Sequence, residues 1–184
     1  ENKELDLTRI SVEKMESYKG KPELHTVPDG RVYYFGFNRS NPVLKNIKIR
    51  QALSLAIDRK QLVDSVLNGV GLPASGVVAL GNAGEKGDFR KEAGDLFAQF
   101  SNTTPKQLFD EGLKELNITP AQVKLKLTVD EKGTGKKEAE FYQAQWKEKL
   151  GIDVEVEVLT TKERIARAKA GEFDIVRYGW GPDY

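Results

Sequence analysis

Few residues in this chain could do covalent chemistry, and their neighbours do not support it. His25 is the only histidine, and there is no cysteine. A zinc site would therefore have to be completed by carboxylates alone, and a Ser-His-Asp triad would have to use this single imidazole. His25 stands beside a predicted turn, a place for hairpin packing or solvent contact. Acidic pairs occur at Asp110-Glu111, at Asp130-Glu131 and at Glu138 with Glu140. Opposed carboxylates can run acid–base hydrolysis, but these lie on polar faces and turns, where charge is ordinarily solvated. Gly133-Thr134-Gly135-Lys136-Lys137 opens a predicted helix after a predicted strand and has the outline of a phosphate loop. Such a loop needs a glycine five residues before its Gly-Lys and a Ser or Thr after it. Asp130 and Lys137 occupy those places, so the segment is a turn feeding a helix. No catalytic residue, metal ligand or cofactor is assigned.

The bulk properties narrow the possible partners. Lys and Arg number 29 against 28 Asp and Glu, so no basic excess exists to drive nucleic-acid binding. The longest apolar runs are too short to span a membrane. A chain of 184 residues is long enough to bury a core without disulfides. It is expected to form one domain, with both ends having the character of a fragment's ends.

The elements that must position any site follow from pattern and caps. Residues 5–10 alternate as a short strand, Ser11 is a candidate cap for a helix to Tyr18, and residues 23–27 form another strand candidate. Pro28-Asp29-Gly30 has turn chemistry, and the aromatic run 31–38 is a strand, so 23–38 is expected to pair as a hairpin. Helix-compatible sequence covers 44–57. Asp58 then caps a second helix bearing Leu62, Val63, Val66 and Leu67 on one stripe, stopped by Asn68-Gly69. The glycine-rich stretch 70–87 is either a surface excursion or a cover over a functional surface, and a helix is possible over 90–100. Beyond it, Thr104-Pro105-Lys106-Gln107 and Thr160 with Glu163 are capping boxes. They place helices at 105–116 and after 160, with a third over 136–150 ended by Gly151. Strands at 123–129, 152–158 and 173–179 alternate with these helices. The fold class is therefore α/β, a mixed sheet with flanking helices whose successive strands favour parallel neighbours.

Three stretches taken together resemble the oligopeptide- and dipeptide-binding group of solute-binding proteins that serve ABC importers. The first is Tyr33-Tyr34-Phe35-Gly36-Phe37-Asn38 followed by Asn41-Pro42. The second runs from Ile49-Arg50-Gln51-Ala52 through Ala56-Ile57-Asp58-Arg59 to Gly76. The third is Phe173-Asp174-Ile175-Val176-Arg177-Tyr178-Gly179-Trp180-Gly181-Pro182-Asp183-Tyr184. The resemblance covers essentially the whole chain.

It implies a two-lobed, type II periplasmic-binding-protein-like fold that closes on an extended peptide. Residues 1–184 would be most of the second lobe, truncated before the segment that returns to the first. It further implies an extracytoplasmic protein, either a surface lipoprotein or periplasmic. The implied partners are an oligopeptide and the permease subunits; no nucleic acid is implied, and a monomer is expected. Asp183 would accept the peptide's α-ammonium group, Trp180 would wall a side-chain pocket, and Gly179 and Gly181 would open the strand edge to the peptide main chain. Arg177 would meet the terminal carboxylate and Tyr34 would touch ligand. Taken without the resemblance, Trp180 fits a core position, Asp183 an ordinary turn and Arg177 a surface ion pair. A peptide-signal sensor, a nickel, haem or sugar binder of the same group, and a hydrolase are the alternatives.

Overall fold

The computed structural model describes residues 6–182. In chain order it contains α1 (Met15–Tyr18), β1 (Val32–Phe37), α2 (Pro42–Lys45), α3 (Ile47–Leu55), α4 (Arg59–Gln61), α5 (Phe89–Ala93), α6 (Pro105–Leu116), β2 (Leu125–Asp130), α7 (Gly135–Leu150), β3 (Val154–Leu159), α8 (Thr161–Ala170) and β4 (Ile175–Trp180). A π-helical turn, Leu62–Val66, continues α4. No helix of the described residues is long and apolar enough to cross a membrane.

The second half forms where its caps predict. Thr104 and Thr160 each accept a backbone N–H three residues on, from Gln107 and Glu163, and both capping boxes close. Gly151 and Gly171 end α7 and α8 in the left-handed conformation (φ 74° and 76°), which a side chain would oppose. Asp58 caps α4 through Gln61 N–H.

The first half departs from expectation in four places. Residues 6–10 and 23–27 form no strand, so the predicted hairpin is absent and β1 pairs instead with β4, antiparallel over six registers. Pairing with β4 turns Phe35 onto α7, against Tyr142 (4.8 Å) and Trp146 (5.6 Å). The segment 23–27 offers no comparable apolar face, and a strand's register is fixed by the face it buries. The helix expected over 44–57 is broken at Asn46, whose extended backbone and side chain start α3 by accepting from Lys48 and Ile49 N–H. The helix expected over 90–100 stops at Gly94 (φ 67°) and resumes only as a 3-10 turn, Ala98–Phe100.

The sheet order is β1-β4-β2-β3. α7 lies on the face carrying Phe35, while α8 lies on the other, where Arg164 stacks on Tyr178 at 4.5 Å. Outside α7, α3 and α6 pack closely: a Cβ on Gly112 would stand 2.8 Å from Ile49 Cδ1, so a side chain there would force Ile49 to move. Leu53, Phe109, Leu127, Val129, Trp146 and Ile175 are fully buried in the one core these layers share.

Candidate ligand-binding site

The sheet splits as its parallel strands approach their carboxyl ends. β2 stays paired with β3 over six registers, Leu125↔Val154 to Asp130↔Leu159. β4 stays paired with β1 over six. Between β2 and β4 the ladder has two registers only, Leu127↔Ile175 and Thr128↔Val176. Beyond Val176 a fork opens. It is also the point where chain direction reverses: β2 leads outward to β3 through α7, and β3 leads back across β2 to β4 through α8. In open α/β sheets, ligands bind outside the carboxyl ends of the strands at such a switch point.

Backbone alternation decides which groups face the fork. Asn38 N–H donates to Asp174 C=O (2.8 Å), extending the β1–β4 ladder by one register. Asp174 and every second residue after it therefore turn main-chain groups toward β1. Ile175, Arg177 and Gly179 turn theirs toward β2. Lys126 N–H, which faces the start of β4 and donates to Asp174 Oδ2 (3.0 Å), agrees with this phase. Past Val176 no ladder register meets Gly179 on that side, so its N–H and C=O form an open strand edge.

The predicted site residues divide around this edge. Trp180, next to it, is 60 % exposed, and so is not the core residue its type alone suggests. A Cβ on Gly179 would stand 2.5 Å from the Tyr33 ring, so a side chain there would push that ring off the Arg177 guanidinium. Gly181 follows on the same edge, and Pro182 packs on Gly30, 3.1 Å from where a Cβ would be. Tyr34 stacks on Tyr178 (6.2 Å between centroids, 21° between planes) on the α8 face. Asp183 lies outside the described residues.

Arg177 is placed differently from the role expected for it. Its Nε donates to Glu138 Oε2 (2.7 Å) and its Nη2 to Glu138 Oε1 (2.6 Å), with both side chains buried. Tyr142 Oη also donates to Glu138 (2.9 Å), and so does Thr134 Oγ1. The guanidinium lies 4.2 Å beneath the Tyr33 ring. Burial acts to lower the Arg177 pKa, but the charge and hydrogen bonds of Glu138 outweigh it and the pKa is raised. Burial likewise pushes the Tyr142 phenol up, with the Glu138 charge adding to it. Arg177 is thus one half of a buried ion pair pinning β4 to α7. Its fork hydrogen bonds are spent inside the protein, where a ligand carboxylate would have to compete with Glu138.

Glu138, Tyr33 and Arg164 were not among the predicted site residues. Glu138 carries a signal in retrospect: it precedes Tyr142 and Trp146 at spacings of four. It therefore shares their buried helix stripe, and an acid on such a stripe needs a cation. Among the described residues no group of His, Cys, Asp and Glu could hold a metal ion.

A family model described as "Bacterial extracellular solute-binding proteins, family 5 Middle" matches residues 1–184. The chain belongs to that family. This family 5 chain is 29% identical over 182 residues to the oligopeptide-binding protein OppA of Bacillus subtilis (strain 168), covering 98% of this chain and 33% of the relative. It is 31% identical over 192 residues to the dipeptide-binding protein of Lactococcus lactis subsp. cremoris (strain MG1363), covering 98% and 34%. Among solved structures, Listeria monocytogenes OppA bound to peptide matches with a TM-score of 0.82 at 28% identity, over 95% of this chain and 35% of that one. The pheromone receptor PrgZ matches with a TM-score of 0.81 at 29% identity, over the same shares. The family 5 chain thus spans about a third of the length of the relatives it matches. The mixed α/β sheet with flanking helices is that of type II periplasmic binding proteins, and the family groups solute binders, not enzymes.

Proposed function

We propose that the full-length protein is the extracytoplasmic peptide-binding subunit of an ABC importer, with residues 1–184 as one lobe of a two-lobed binder. The observation that carries this reading is the open backbone edge at Gly179, next to an exposed Trp180, at the switch point of a family 5 fold. Main-chain bonding along that edge gives affinity without demanding a side-chain sequence, the strand-addition mode of recognition. Trp180 supplies a wall for a ligand side chain, and Tyr34, stacked on Tyr178, lies on the same face of the sheet. Closure of a second lobe over this edge would exclude water and present the loaded form to the permease. The names of the relatives, which bind oligopeptides or dipeptides, support a peptide over other solutes. The protein acts as a monomer, lipid-anchored or periplasmic.

Asp183 is the proposed acceptor for the peptide's α-ammonium group. A charge-assisted bond in a closed cleft is strong, and losing it leaves a desolvated cation. In the full-length protein, Asp183→Asn is expected to weaken free-amine peptides by about ten- to a hundredfold and to have much less effect on their N-acetylated forms. Titration calorimetry on both forms decides the matter; equal losses would remove Asp183 from this role.

A further inference from the structure

The Arg164 side chain reaches across the fork between β2 and β4. Arg164, on α8, is 6 % exposed. Its Nη1 donates to Arg177 C=O (3.1 Å), its Nε lies 2.9 Å from Asp130 Oδ2, and its guanidinium stacks on Tyr178 at 4.5 Å. It therefore touches the last residue of β2 and two residues of β4 beyond the point where their ladder stops. Arg177 C=O faces the fork. If the ladder continued by one step, its partner would be Asp130 N–H, since β2 turns Lys126, Thr128 and Asp130 toward β4 while Glu131 N–H already bonds Leu159 C=O on the β3 side. Arg164 Nη1 takes the place of that N–H. The seat is incompletely satisfied: Arg164 Nε and Asp130 Oδ1 are buried without a hydrogen-bond partner among the described residues, the 2.9 Å ion-pair contact being poorly aligned. A buried Arg–Asp contact of this quality is a poor source of stability, yet it lies where two strands would otherwise pair.

We propose that Arg164 is a wedge: by bridging Asp130 to the Arg177 carbonyl, it prevents β2 from zipping onto β4 and so keeps the Gly179 edge free. Arg164 is thus a positioning residue, acting on ligand through the strand edge. The purpose assigned to the wedge rests on the peptide-binding reading above; its geometry does not.

The test uses the full-length protein without ligand, then with tri- and pentaalanine. Arg164→Met keeps an apolar stem of similar length and removes the donors. Amide exchange at Asp130 is expected to slow by about tenfold, the equivalent of one added hydrogen bond, with Gly179 slowing in the same direction as the fork narrows. Affinity for the alanine peptides is expected to fall by about the same factor. Asp130→Asn, which keeps the guanidinium but weakens its anchor, is expected to shift exchange in the same direction, and it decides alone if Arg164→Met does not fold. Unchanged exchange at both amides overturns the wedge. A closed fork with undiminished peptide affinity overturns its role in binding. Slowed exchange in a protein that binds neither peptide before substitution leaves the wedge standing and sinks the peptide-binding reading instead.

Discussion

Replacing Glu138 with alanine is expected to lower the unfolding free energy by about 3–5 kcal/mol. Glu138 is 2 % exposed and receives two hydrogen bonds from Arg177, one from Tyr142 and one from Thr134. Its removal strands a buried guanidinium on β4, and an uncompensated buried charge costs far more than the pair gains. The same logic predicts a partial cancellation. Arg177→Met made together with Glu138→Leu removes both charges and leaves two apolar side chains, so the double variant should be more stable than Glu138→Ala alone. Urea denaturation of the three proteins checks this. A Glu138→Ala loss below about 1 kcal/mol, the range of an exposed pair, would show that the ion pair is not buried in solution.

Trp146→Ala is expected to cost a similar amount, about 3–5 kcal/mol. Trp146 is fully buried, packs against Phe35 and Tyr142, and donates Nε1–H to the Leu53 carbonyl (2.8 Å), tying α7 to both β1 and α3. Alanine leaves a cavity between three elements and orphans that carbonyl. Trp146→Phe separates the two effects by keeping most of the volume and losing the donor, and it should cost about 1–3 kcal/mol. Thermal denaturation followed by circular dichroism gives both values. Tyr142 touches Trp146 and bonds Glu138, so Trp146→Ala and Glu138→Ala should not add when combined. Strict additivity would contradict a shared cluster.

The fold was legible where local chemistry is decisive. The capping boxes at Thr104 and Thr160, the Asp58 cap and the glycine stops at Gly151 and Gly171 are instructions written within a few residues, and the structure has each one. The strands between the helices carry their own alternation. What failed was partner choice. Residues 23–27 and 31–38 are adjacent and joined by good turn residues, yet β1 pairs with β4, a strand more than a hundred residues away. That choice depends on the α7 surface waiting for Phe35, which no local pattern encodes. The site shows the same division. Gly179, Trp180 and Gly181 enter as proposed ligand contacts because a family resemblance marks them. Arg177 was assigned to a ligand because its buried partner, Glu138, lies on another element. Arg164 was missed because a wedge exists only once two strands have been placed on either side of it.

The chain's only two tryptophans occupy opposite environments: Trp146 fully buried, Trp180 60 % exposed beside the open edge. Their indoles should therefore emit at different wavelengths and differ in quenching by iodide or acrylamide, one reporting on the core and the other on the edge. With Trp146→Phe in place, Trp180 becomes the sole indole emitter of this segment. A blue shift and loss of quenching on adding peptide would then mark, without any attached label, the moment at which that edge is covered.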